Sequence, residues 1–164
     1  GLGLLIRFFA MARPGAALVI RRGKAAPVVM MSGGTFIGRG VTVDHVLMTS
    51  RSVTVRYRAD RALAFHDGTF EVDVEIELAP RREEEHILEI ARSVGADRHN
   101  DDERLAEHLG HELRAPIENF ARQIDAATAG LEERTHALTE KLERYLTSYD
   151  ILRATLVVRG SIGA

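Results

Sequence analysis

The sequence predicts an α+β protein in which helices pack on a strongly bent antiparallel sheet. Residues 52–58 and 70–78 alternate apolar and polar side chains, which is the period of half-buried strands. Apolar residues then recur every three or four positions through residues 105–124, as expected for amphipathic helices. An apolar run at residues 151–158 follows the last helical segment and predicts a strand that returns to the sheet.

Composition excludes several classes of function. The 164 residues suffice for one domain with a sizeable core. A formal charge of −2 gives no reason to expect nucleic acid as a partner. The absence of cysteine from the sequence excludes a disulfide framework, a thiolate zinc site, a thiol nucleophile and S-palmitoylation of this segment.

The most apolar window is at the start, where residues 1–12 read GLGLLIRFFAMA. A membrane-spanning helix needs about 20 apolar residues. The window therefore fits the end of a transmembrane helix, a segment in the membrane interface with Arg7 reaching towards water, or a segment facing the core or a protein partner. Aromatic residues beside a basic one favour the lipid headgroup boundary. We therefore predict membrane contact through six residues: Leu2, Leu4, Leu5, Ile6, Phe8 and Phe9.

The first half of the chain is predicted to be rich in strands. The two alternating runs should pair antiparallel through a link at 60–68, with Arg56 opposite Asp73 and Arg58 opposite Glu71. The acidic row of the second run is interpreted as a solvated strand face opposite arginines, in preference to a cation site. Short apolar segments between turn residues predict the preceding strands: Ala16–Arg22, Ala26–Met31, Thr35–Ile37 and Val43–Met48.

The second half is predicted to be helical until the returning strand. Pro80 should open the first helix and Gly95 should end it. Asn100 and Glu103 have the spacing of a capping box for the next helix, which Pro116 should kink or break. The last helix is predicted at Leu131–Tyr149, with four residues facing inward: Leu138, Leu142, Tyr145 and Tyr149.

This order of elements, with several phrases, resembles the stomatin, prohibitin and flotillin (SPFH) family, and flotillin-like proteins most closely. The segment LGHELRA is similar to a helical phrase of the family, although it is one residue longer and Pro116 follows it. The long coiled coil of flotillins is missing from this sequence. The other phrases that carry the resemblance are RPGAALVI (13–20), APVVMMSGGTFI (26–37), DHVLMTSRSVTV (44–55) and LTEKLERYLTSYDILRATLVV (138–158).

The resemblance implies a family domain at residues 13–160, preceded by a membrane-associated segment at 1–12 and followed at 161–164 by the start of a continuation. It implies a scaffold that is not an enzyme and has no cofactor, metal or catalytic residue. The expected partners are the lipid bilayer, other copies in large rings or cages, and membrane proteins such as a protease. The cytoplasmic face of a membrane is the favoured location.

Two alternative functions remain open. His111 begins the sequence HELRAP, which resembles the phosphoacceptor box of sensor histidine kinases, where an exposed histidine attacks ATP. The chain would then be a fragment of a signalling kinase. The second alternative is a soluble adaptor whose apolar N-terminus docks in a protein groove. His108 and His111 could also share a metal ion, but that site would need a third ligand.

Overall fold

The computed structural model describes residues 9–162, with the backbone alone at Phe9, and it confirms the α+β class. In this range a π-helical turn (Ile90–Val94) continues the first helix, and two 3₁₀ turns lie at Ala59–Arg61 and Ala126–Thr128. The strands are β1 (Phe9–Met11), β2 (Ala16–Arg22), β3 (Val28–Met30), β4 (Gly34–Phe36), β5 (Val41–Leu47), β6 (Arg51–Tyr57), β7 (Leu63–Phe65), β8 (Gly68–Pro80) and β9 (Tyr149–Ser161). The helices are α1 (Glu84–Glu89), α2 (Ala96–Asn100), α3 (Asp102–Glu112), α4 (Arg114–Arg122) and α5 (Glu132–Glu143).

The strands form three antiparallel sheets, so the prediction of one bent sheet is wrong. β1 pairs with β4, and β2 lies between β3 and β5. In the main sheet, β8 is central: β9 pairs along one edge, and β6 and β7 pair one after the other along the opposite edge. The chain passes from one sheet to another at two breaks in extended structure. Ser32–Gly33 separates β3 from β4, and Thr49–Ser50 separates β5 from β6.

The main sheet and helices α3 to α5 enclose the core. Arg56 lies opposite Asp73 in the register of β6 and β8, as predicted. The inward residues of β8 from Val72 to Leu78 are completely buried. Burial of each such side chain contributes about 1.5–3 kcal/mol, so this layer is a main source of stability. The predicted helical stripe is also buried: Leu105, Leu109, Leu113, Ile117, Phe120 and Ile124.

Two predictions about helix starts are wrong. Pro80 is the last residue of β8, where it lies opposite Tyr149, and α1 begins at Glu84. A strand end tolerates proline, since a missing N–H costs little there. The cap of α3 is Asp101, whose Oδ1 accepts the backbone N–H groups of Glu103 and Arg104 at 3.0 and 3.1 Å. The side chain of Asn100 is used elsewhere.

Other boundaries differ in smaller ways. Gly95, at φ 90°, ends the first helical segment as predicted. The break between α3 and α4 falls at Leu113, which places Pro116 in the first turn of α4. Helix α5 ends at Glu143, so Tyr145 is 54% exposed rather than inward. The predicted link at 60–68 contains strand β7, and the strand predicted at 151–158 extends through Ser161.

Candidate functional site

The six predicted membrane-contact residues lie at the edge of the described range. Leu2, Leu4, Leu5, Ile6 and Phe8 lie outside the described residues, and at Phe9 the description covers the backbone of β1. None of the helices within residues 9–162 has the length and hydropathy needed to span a bilayer.

Exposed apolar side chains are concentrated in the N-terminal part of the described chain. Seven large hydrophobic residues are exposed within the described part of the chain, and four of them lie between residues 11 and 36. Met11, on β1, is 61% exposed, and Val28, on β3, is 48% exposed. We call this set the apolar end; its members are Met11, Val28, Met31 and Phe36. Exposed apolar side chains that follow an apolar segment in the sequence are typical of a surface that contacts lipid or a protein partner.

Charge is segregated in the same part of the chain. Residues 1–43 contain six basic and no acidic residues, whereas the whole chain has a formal charge of −2. Arg13, Lys24 and Arg39 are exposed, while Arg21 forms an ion pair with Asp44. Composition averaged over the whole chain concealed this asymmetry. Counting charges by segment would have revealed it from the sequence.

A buried polar network joins the small sheet of β2, β3 and β5 to the helices. His99, completely buried on α2, lies 2.7 Å from the carbonyl oxygen of Leu47 through Nε2 and 2.7 Å from the Tyr149 hydroxyl through Nδ1. Since a carbonyl accepts, Nε2 carries the proton and Nδ1 accepts from the hydroxyl. The pKa of His99 is lowered to about 4, mainly by burial and also by the nearby Arg51 guanidinium. The hydrogen bond to Leu47 acts in the opposite direction but is outweighed. The imidazole is therefore neutral at pH 7.

Asn100 extends this network along β5. Its Oδ1 accepts the backbone N–H of Leu47 at 3.1 Å, and its Nδ2 donates to the carbonyl of His45 at 2.6 Å. The side-chain amide thus satisfies the edge of β5 as a neighbouring strand would. Neither contact could be predicted from the sequence, because the partners are 53 and 55 residues apart. We interpret His99 and Asn100 as structural residues.

The acidic row of β8 consists of Glu71, Asp73, Glu75 and Glu77. Arginines pair with Glu71 and Asp73, and Asp73 is not solvated as predicted. Asp73 is 5% exposed and contacts Arg58 at 2.6 Å and Arg159 at 2.8 Å. Burial alone would raise the pKa of Asp73, but hydrogen bonds from Arg159 and Arg58 outweigh it and lower that pKa. Within residues 9–162, no group of three or more His, Asp or Glu side chains could hold a metal ion. Glu71 and Asp73 therefore form an ion-pair network with Arg58 and Arg159.

His111 lies on the exposed side of α3, as the phosphoacceptor interpretation requires. It lines a groove of about 490 Å³ between α3 and the edge strand β6. Gly110 and Arg114 line the groove beside it. His108 is partly buried, and this burial lowers its pKa. His111 therefore belongs to a groove lined by charged residues of both signs, including Glu107 and Arg114.

Comparison with known proteins does not assign the chain to a family. No protein-family model matches it, and a search of curated proteins finds none that is significantly similar. The structure is that of an α+β domain whose N-terminal part carries basic and exposed apolar residues, with no metal cluster among the described residues. The SPFH resemblance continues to rest on the ordered phrases of the sequence.

Proposed function

We propose that this chain is a membrane-associated scaffold module of the SPFH type, which contacts lipid through its N-terminal segment and apolar end. The observation that carries the proposal is the coincidence of exposed apolar side chains with six basic and no acidic residues in residues 1–43. Apolar groups insert at the headgroup boundary, and each basic residue near an anionic surface contributes about 1 kcal/mol.

The order of elements supports the proposal. The SPFH resemblance implies strands, then helices, then a long returning strand, and the elements occur in that order. The returning strand, β9, pairs with β8 over most of its length. On this proposal copies of the chain associate laterally and hold membrane proteins within or beside the assembly. A ring requires two different and complementary surfaces on each subunit.

Vesicle flotation tests the lipid contact. The 164-residue chain is mixed with phosphatidylcholine vesicles with and without phosphatidylserine. We expect binding that is strengthened by phosphatidylserine and weakened by salt. In a Met11→Glu/Val28→Glu variant, loss of two partly exposed apolar contacts and gain of two negative charges should cost about 2–3 kcal/mol, or roughly 30- to 150-fold in partitioning.

A matched control uses exposed apolar residues elsewhere. Tyr145 and Leu152 are 54% and 52% exposed and lie outside the N-terminal part of the chain. Tyr145→Glu/Leu152→Glu should leave partitioning unchanged. Equal loss in both variants, or wild-type protein that stays with the aqueous phase, would contradict lipid contact and favour the adaptor alternative.

Assembly is tested separately, by light scattering and negative-stain imaging of the vesicle-bound and detergent-solubilised protein. Large rings or cages would support the scaffold. A monomer or dimer under both conditions would contradict lateral assembly. In that case the phosphoacceptor alternative would be tested by incubation with labelled ATP, comparing wild type with His111→Gln.

A further inference from the structure

The main sheet has two edges, one formed by β9 and one by β6 and β7, and a helix covers the β9 edge. Along the outer edge of β9, the backbone N–H of Ala154 donates to Thr139 Oγ1 of α5 at 2.9 Å. Arg153 and Glu132 close the same side with two hydrogen bonds of 2.7 and 2.9 Å. A covering helix is a usual way in which proteins block a sheet edge from pairing with another chain. The β9 edge is thus blocked.

The edge of β6 has no such cover. In the part of the chain that the structure describes, β6 pairs with β8, and no other strand, helix or loop backbone bonds to it along the opposite edge. Backbone groups alternate in direction along an antiparallel strand. About half of the seven residues of Arg51–Tyr57 therefore present N–H and C=O groups to the groove.

Helix α3 forms the other wall of this groove and runs alongside β6 in the same direction. At the start, Arg51 lies 3.5 Å from Asp102. Further along, the absence of a side chain at Gly110 allows close approach, since a Cβ there would be 3.3 Å from Val55. The volume of about 490 Å³ is that of a ligand site. Strand β6 offers an edge about 20 Å long, enough for an extended segment of similar length.

The charges of the groove are ordered from one end to the other. Acidic side chains of α3 line the groove from the end where β6 begins: Asp102, which contacts Arg51, then Glu103 and, further along, Glu107. Arg61 and Arg114 line the end where β6 finishes, and Arg114 also pairs with Glu118 at 2.7 Å. Because antiparallel pairing is the more stable geometry, an added strand would place its N-terminal half at the arginine end. Charge complementarity then requires acidic residues first and basic residues later in the added segment.

We propose that this groove binds an extended peptide segment of a partner protein, which adds to β6 as an antiparallel strand. The segment carries acidic residues in its N-terminal half and lysine or arginine in its C-terminal half. An open strand edge beside a helix is the geometry by which peptide-binding domains capture extended ligands: main-chain bonds supply affinity, and side chains supply specificity. The groove contains no residue of the apolar end, so peptide binding there does not depend on membrane binding.

Two labelled peptides of identical composition test the charge order. The peptide EDVTVTKR has the proposed order, and KRVTVTED has the opposite order. Fluorescence anisotropy at low ionic strength should show that EDVTVTKR binds the 164-residue chain at least about tenfold more tightly. NMR of the complex should show shifted and exchange-protected amides in β6 and shifted amides in α3.

Exchange of two exposed charges sharpens the test. The variant Arg61→Glu/Glu103→Arg places one opposite charge at each end of the groove and should reduce the preference between the peptides. The control Glu143→Arg/Arg144→Glu makes the same exchange at exposed residues beyond the covered β9 edge and should preserve the wild-type order. Absence of binding, equal binding of both peptides, an unchanged preference in the groove variant, or amide shifts confined to other strands would each overturn the proposal.

Discussion

Acidification should weaken this fold through His99. The residue is completely buried, its two ring nitrogens are hydrogen-bonded, and burial lowers its pKa to about 4. In the unfolded chain a histidine titrates near its ordinary value of about 6.5. Between these two values the unfolded state binds a proton that the folded state does not. Stability therefore falls as the pH falls through this window, and no penalty remains above it.

The size of the effect follows from the two pKa values. A difference of about 2.5 pH units at about 1.4 kcal/mol per unit gives about 3 kcal/mol lost between pH 6.5 and 4. This is a large fraction of the 5–15 kcal/mol by which domains are usually stable. Carboxylates with lowered pKa, such as Asp73, lose their contribution at still lower pH. Their effect is common to wild type and variants.

Urea unfolding at a series of pH values measures the free energy of unfolding directly. His99→Gln removes the titrating group, so its stability should change less than that of wild type between pH 7 and 4, by about 3 kcal/mol. The variant should be less stable than wild type at pH 7, but the quantity compared is the change in the free energy of unfolding with pH. His136→Gln, at an exposed histidine, is the control and should keep the wild-type slope. Equal slopes for wild type and His99→Gln would refute the reasoning.

Three further predictions use the same unfolding assay. Asn100→Ala removes two hydrogen bonds to β5 and leaves backbone groups unpaired, so it should cost about 2–4 kcal/mol; a loss below about 0.5 kcal/mol would contradict the bridging role. Asp73→Asn should cost about 1–2 kcal/mol rather than more, because both arginine partners are partly exposed, and the loss should shrink at pH 2. Ala59, at φ 50°, is in the left-handed region, so Ala59→Gly should stabilise by up to about 1 kcal/mol, whereas Ala59→Val should destabilise.

The register of the main sheet could be predicted from the sequence because two constraints agree. Alternation in β6 and β8 fixes which side chains face the core, and a shift by one residue would expose all of them. The opposite charges of Arg56 and Asp73 select the same alignment. The buried stripe of α3 and α4 was predictable for a similar reason, since helical spacing alone puts Leu105 and Leu109 on one face.

The errors arose where local signals compete with distant contacts. Pro80 has the local character of a helix start, yet pairing with β9 extends β8 to that residue. Asn100 has the spacing of a capping box, but its side-chain amide forms hydrogen bonds with the backbone of β5. Asp101 therefore caps α3 instead. Strand β7 has three residues, too few for a period to be visible. The groove likewise depends on which sheet edge a helix covers, and no local pattern encodes that.

The polar contacts of α2 also bear on how the two proposed surfaces act together. Strand β5 belongs to the small sheet near the apolar end, and three residues separate it from β6, the strand that lines the groove. Hydrogen bonds from His99 and Asn100 fix the last part of β5 to the helices. Val19 and Val46 add apolar contacts within the common core. A lipid-bound apolar end would therefore hold the groove in a defined orientation, so a peptide captured on β6 would lie at a set distance from the membrane.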